Sequence, residues 1–187
     1  MNAALRLSWY KFKHHYMDFI KVLLGIVAFE GLILYIQDKG FLKDFETTRM
    51  TLFLLLFSTS LLIVVQNSIY ISKERSVLNR DFFSGLSRSA FALASMGIHA
   101  FFAVLETIVF ILSYSVFSKF FDKEFPDAGH IFGSYRWEVG ITVLLVFLAS
   151  HFIALFISAL VGKSDITSVI LAVVVGIMQF SLSGTIL

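Results

Sequence analysis

Four ionisable side chains stand inside long apolar runs of this chain: Glu30, His99, Glu106 and His151. A charge at the bilayer centre costs about 2.5 to 3.5 kcal/mol on insertion scales, so Glu30 and Glu106 have to face a protein interior, a water-filled path or each other's helices. Two chemistries fit them equally. One is a substrate-binding or proton-relay role along a pathway, and the other is interhelical hydrogen bonding that holds a bundle together. A lone histidine within a span is more often a neutral hydrogen-bonding group than a metal ligand, and His99 and His151 read that way. Gln66, Asn67 and Gln179 would satisfy themselves across helices in the same manner.

Other chemistries are excluded by what the chain lacks. With no cysteine there are no disulfides, thiolate metal sites or cysteine nucleophiles. His14 and His15 are adjacent and so do not face each other on a helix, and the remaining histidines, His130 among them, are scattered. There is no Gly-x-Ser-x-Gly elbow and no His-Glu-x-x-His pair. Serines within the spans lack a paired base and read as hydroxyls bonded back to their own helices. No catalytic residue and no metal site is expected.

The elements that must carry these residues are hydrophobic helices. Of the 187 residues 58% are hydrophobic and 15% charged, with mean hydropathy +0.85, where a soluble domain has about 25% charged residues. The expected fold is all-α: a polytopic membrane helix bundle, read as one domain over residues 1–187. Segment 1–18 mixes Arg6, Lys11 and Lys13 with Trp9, Tyr10 and Tyr16, which suits an interfacial amphipathic helix. About five transmembrane spans follow, near 19–36, 51–72, 90–117, 139–161 and 166–187. Pro126, Gly129 and Gly133 break the longest polar connection, and Tyr135 and Trp137 are interface anchors.

Between the second and third runs lies a dense polar island, 73–88, holding Lys73, Glu74, Arg75, Arg80 and Asp81. Several charges together cannot sit in hydrocarbon. Ser76 to Ser84 is long enough for a two-turn helix across the membrane face, with Val77, Leu78, Phe82 and Phe83 as its apolar surface and Arg75, Arg80 and Asp81 left for polar partners. A plain basic loop held against anionic lipid is the simpler reading of the charge alone. With the N-terminus inside, the inner segments hold nine Lys and Arg against six outside, which puts the island in the cytoplasm.

These residues also carry a family likeness. Asn67-Ser68, Lys73-Glu74-Arg75, Arg80-Asp81 and Gly85 resemble the first cytoplasmic loop of type 2 ABC-transporter permeases, closest to the G-subfamily and to bacterial permeases fused to an ATPase. Ile157-Ser158-Ala159-Leu160, and the run from Met178 through Gln179 and Ser183-Gly184 to Leu187, are similar to that family's fourth and fifth helices. The likeness implies an ATP-driven exporter, with spans two and five, the helices of Asn67 and Gln179, lining a cavity for hydrophobic or amphipathic cargo. It further implies that an ABC ATPase docks at Glu74, Arg75, Leu78, Arg80, Asp81, Ser84 and Gly85, that ATP and Mg are held by that partner, and that two permease copies pair. No Walker-type Gly-rich loop is present, so no cofactor is expected on this chain, and its modest charge suggests no nucleic acid. The family usually has a sixth helix, so the chain is expected to be part of a longer membrane domain or to be completed by another chain. A multi-pass protein of a bacterial inner membrane is the expected setting. The competing classes are an integral membrane enzyme and an accessory membrane protein without transport activity.

Overall fold

A computed structural model describes residues 2–37, 45–122, 129, 131, 133–161 and 164–182. Among them the chain forms six α-helices and a 3-10 turn, with no strand: α1 (Asn2–Ile36), α2 (Phe45–Asn67), the 3-10 turn (Ser72–Glu74), α3 (Arg75–Phe83), α4 (Arg88–Phe120), α5 (Tyr135–Leu160) and α6 (Asp165–Leu182). Stretches of α1, α2, α4 and α5 are long and apolar enough to cross a membrane, while α6 is shorter. Segment 1–18, read from sequence as an interfacial helix, is continuous with the first span in α1; of its side chains before Tyr16, Tyr10 and Lys13 are described, and both are exposed. The second span ends at Asn67 rather than at residue 72. There the Asn67 amide donates to its own helix at Ile63 O (2.9 Å) and the Ser68 hydroxyl to Val65 O (2.8 Å). Such side-chain bonds compete with the helical ladder and favour its end.

The helices pack as two parallel pairs. α1 lies along α4 in the same direction, with Phe19 against Phe102 (ring centroids 4.8 Å) near one end and Tyr35 against Phe121 (5.9 Å) near the other. α2 likewise runs with α5, bridged by the Ser60 and Ser150 hydroxyls at 2.7 Å. Between the pairs α4 and α5 are antiparallel, with Phe110 edge-on to Phe147 at 5.8 Å, and α1 meets α2 where Gly25 admits Leu62. α6 is added outside the ring of four, antiparallel to α2, with Phe180 against Phe53 and Phe57. At the crossing Gly176 leaves room for Leu61, so a side chain there would meet it at once. Small residues at such crossings let helices approach closely where lipid removes the hydrophobic drive between them.

Polarity is inverted relative to a soluble bundle. Leu24 is 65% exposed and Phe156 63%, whereas Glu30, Thr59, His99, Glu106, Ser150 and His151 are buried. An apolar exterior around a polar interior is what hydrocarbon selects, because it offers no hydrogen-bond partner to an outward-facing polar group. Apolar packing fills the remaining interior with Ile26, Leu55, Ile63, Phe110, Tyr114 and Phe147. The chain is a multi-pass membrane helix bundle.

The α2–α6 crossing is sensitive to bulk. Gly176→Ala should be absorbed by a shift of the Leu61 side chain, whereas Gly176→Ile should separate the helices at a cost of about 1 to 3 kcal/mol, the usual range for overpacking. Phe57→Cys with Phe180→Cys, placed in a chain with no native cysteine, reports the separation as loss of disulfide crosslinking in the bilayer.

Candidate functional site

The polar island folds into the 3-10 turn and α3, and its chemistry begins with backbone groups that α2 leaves behind. A helix end has unpaired carbonyls, and a bend after it has unpaired amides. Here the N–H groups of Ile71 and Ser72 both donate to the hydroxyl oxygen of Ser158 on α5, at 2.7 and 3.1 Å. Ser72 in turn donates its hydroxyl to Asp165 Oδ1 at the start of α6 (3.0 Å). Arg75 completes the clamp, its guanidinium donating to the carbonyls of Ala159 (3.1 Å) and Val161 (2.6 Å) at the end of α5. A cation suits that position because the last carbonyls of a helix lack intrahelical donors and carry the negative end of its dipole.

The other end of α3 is closed by its own backbone. Gly85 has φ +106°, and its N–H donates to Phe82 O (3.2 Å) while that of Leu86 donates to Asp81 O (3.0 Å). This pair of bonds with a left-handed glycine is the Schellman cap. Nothing lies within 4 Å of where a Cβ would stand at Gly85, so the backbone angle, rather than space, calls for glycine.

Between these fastenings α3 has two faces, where sequence reading gave it one apolar surface. Leu78 is buried, and Phe82 packs edge-on to Phe91 of α4 with the Arg88 guanidinium over its ring. Val77 and Phe83 point away from the bundle, Phe83 at 93% exposure. Beside them Arg80 stands out, at 4.0 Å from Asp81, an exposed pair worth little in stability. Ser84 is exposed and returns its hydroxyl to Asp81 O (2.9 Å), and Glu74 is half-buried. Of the residues read as a docking surface, Arg80, Asp81 and Ser84 are at least partly accessible. Arg75 and Leu78 turn inward, Arg75 because the α5 carbonyls are within its reach.

The polar residues of the spans do not gather at one site. Glu30 is hydrogen-bonded through Oε2 to Ser113 of α4. Glu106 Oε2 meets His151 Nε2 at 2.8 Å, and His151 Nδ1 meets His99 Nδ1 at 2.9 Å. Asn67 lines a cavity of about 90 Å3 between α1, α2, α4 and the 3-10 turn, whose walls also include Asp18, Tyr70, Lys73 and His99. Gln179 is exposed on α6, and the structure does not bring it to Asn67, which sits at the α3 end of α2. Among the described residues no group of three or more metal-ligating side chains is arranged to hold a metal ion. Ser183-Gly184, the side chains of His14 and His15, and His130 and Pro126 lie outside the described residues.

Sequence reading took His99 and His151 one at a time and missed that they meet. One signal was available, since His99 and Glu106 are two helical turns apart and therefore share a face of α4. Ser158 was noticed only as part of a motif, and its role as acceptor for the loop amides had no sequence signal.

A sequence-family model described as ABC-2 type transporter matches residues 5–187. No curated protein and no solved structure matches the chain significantly.

Removing the clamp from its two sides should have unequal effects. Ser158→Ala strands two amides next to a buried position and should cost about 1 to 3 kcal/mol. Arg75→Ala frees carbonyls at the bundle end, where water can replace the guanidinium, and should cost less. Thermal unfolding in detergent ranks the two, and hydrogen exchange should show faster uptake over 71–83 in both.

Proposed function

The chain belongs to the ABC-2 type transporter family, and from that premise we propose that it is the pathway subunit of an ATP-driven exporter, worked by a separate ABC ATPase that docks on α3. The observation that carries the reading is a short helix with an exposed apolar tip, fastened at its base to other membrane helices. Phe83 and Val77 give a partner something to bury, and Arg80 gives it a charge to pair. Aromatic and arginine side chains are the usual anchors of protein interfaces. Rigidity is the second requirement, and the Arg75 and Ser158 bonds supply it.

Force applied at α3 would enter three helices together. The loop continues α2, the Ser158 and Arg75 bonds reach α5, and the Ser72–Asp165 bond reaches α6. ATP, with Mg, closes the ATPase pair in this reading; the two docked α3 helices are drawn together and the spans tilt, exposing the pathway to the other side. Hydrolysis and release reset it. Two copies of the chain are needed for that cycle, and the exposed, mostly apolar face of α6 with Gln179 near its end is a surface a second copy could cover. The greater number of Lys and Arg on the α3 side favours a cytoplasmic N-terminus in a bacterial inner membrane. Cargo of hydrophobic or amphipathic character suits the apolar surfaces, and the chain itself is not an enzyme in this scheme.

Docking and transmission can be separated by mutation. The double variant Arg80→Glu, Phe83→Ala should weaken ATPase binding by about 2 kcal/mol, roughly thirtyfold in Kd, and lower transport with it. Arg75→Ala should leave ATPase co-purification intact and still reduce transport in proteoliposomes. Undiminished co-purification and transport in the double variant would overturn the docking assignment.

A further inference from the structure

We propose that His99, His151 and Glu106 form a proton-binding relay that loads from the cavity between α1, α2 and α4. The three side chains are linked end to end by two hydrogen bonds of 2.9 and 2.8 Å, and each is at most 1% exposed. His99 also lines the cavity, which at about 90 Å3 has room for several waters. Its Nδ1 is occupied by His151, and its Nε2 has no hydrogen-bond partner among the described residues. The relay therefore has an inner end at the carboxyl and an outer end at His99, a residue of the cavity wall whose unpartnered Nε2 is itself buried.

Hydrogen-bond polarity fixes what the relay can hold. Facing nitrogens cannot both donate, and a neutral imidazole has one donor and one acceptor. With Glu106 ionised, His151 donates from Nε2 to the carboxylate and accepts at Nδ1; His99 donates from Nδ1, which leaves Nε2 as a bare acceptor. Once a shift of the ring or of the cavity wall uncovers His99 Nε2, a proton from hydronium in the cavity forms an N–H bond there and leaves water behind. The Nδ1 proton of His99 passes to His151 Nδ1, and the Nε2 proton of His151 passes to Glu106 Oε2. Every hydrogen bond survives with its direction reversed, and the cluster goes from a charge of minus one to neutral. One proton is taken up, and no electron pair leaves the three side chains.

The surroundings favour this exchange. A net charge held between α4 and α5 is expensive at that depth, whereas a neutral relay is not. Elements packed around His99 bring Asp18 from α1 and Tyr70, Lys73 and Glu74 from the α2–α3 connection to the same cavity, while α2 contributes the uncharged Gln66 and Asn67. The Tyr70 ring stands edge-on to His99, with centroids 4.7 Å apart. Asp18 and Glu74 bring carboxyls to the cavity wall, Asp18 in an ion pair with Lys21 at 2.9 Å. One metal ion does not account for the same three residues, because His151 meets His99 through Nδ1 and Glu106 through Nε2, so the three side chains do not converge on a single point. Nothing in the relay depends on how the chain is powered.

The test is made on the full chain in lipid nanodiscs. Infrared difference spectra between about pH 8 and pH 5, a window around neutrality, should show a protonated-carboxyl band that is lost in Glu106→Gln and kept in Glu30→Gln. His99→Phe, which keeps a ring but no nitrogen, should shift the midpoint of that band by about one pH unit or more, a tenfold change in proton affinity. In the unmodified chain, nitrogen NMR of the histidine rings should show His99 and His151 exchanging tautomers together as the band appears. A Glu106 band with the same midpoint in His99→Phe would overturn the relay. So would two histidines that titrate independently, or a cluster with no pH response across the interval.

Discussion

Hydrocarbon gives a polar group nothing to bond with, and the bundle is built around that constraint. Several hydrophilic side chains carried into the spans are turned inward and given a neighbour: Glu30 has Ser113, Ser60 has Ser150, and His151 has both His99 and Glu106. Individual bonds of this kind are modest, averaging about 0.6 kcal/mol where they have been measured in membranes. Their weight lies in the alternative, since an unpaired group would face lipid at several times that cost. Pairing therefore fixes which helix faces meet. The two parallel pairs, α1 with α4 and α2 with α5, are each marked by such a contact.

At the end of the bundle the same constraint acts on the backbone. The chain has to turn between α2 and α4, and the amides exposed by that turn find Ser158 while the carbonyls exposed by the end of α5 find Arg75. One hydroxyl and one guanidinium thus settle both sets of unpaired groups and join two helix ends that are far apart in sequence. The Ile157-Ser158-Ala159-Leu160 stretch, which supports the family likeness, is the segment that receives the loop.

Much of the helical layout was legible in sequence. Long apolar runs announced α1, α2, α4, α5 and α6, and the polar stretch from Ser76 to Ser84 announced the short helix α3. That Arg75 is the arginine bonded to the α5 carbonyls was not legible, because charge density does not say which of several arginines lies within reach of a helix end. The histidine relay was hidden for a related reason. Periodicity places His99 and Glu106 on one face of α4, but a single sequence carries no information on which residue of α5 that face meets. Continuity of α1 through residues 1–18 was also missed, because aromatic and basic side chains suit a helix at the interface whether it lies flat or rises into a span.

Parallel pairing has a consequence for how the protein is made. α1 and α4 lie side by side but are separated in the chain by α2 and α3, and α2 and α5 are separated by α3 and α4. Synthesis delivers helices from the N-terminus, so Glu30 reaches the bilayer before Ser113 exists, and Ser60 before Ser150. The first two helices thus wait in the membrane as half-sites, each with a polar group still unmatched. The polar contacts that mark the two parallel pairs are complete only when the third and fourth spans arrive.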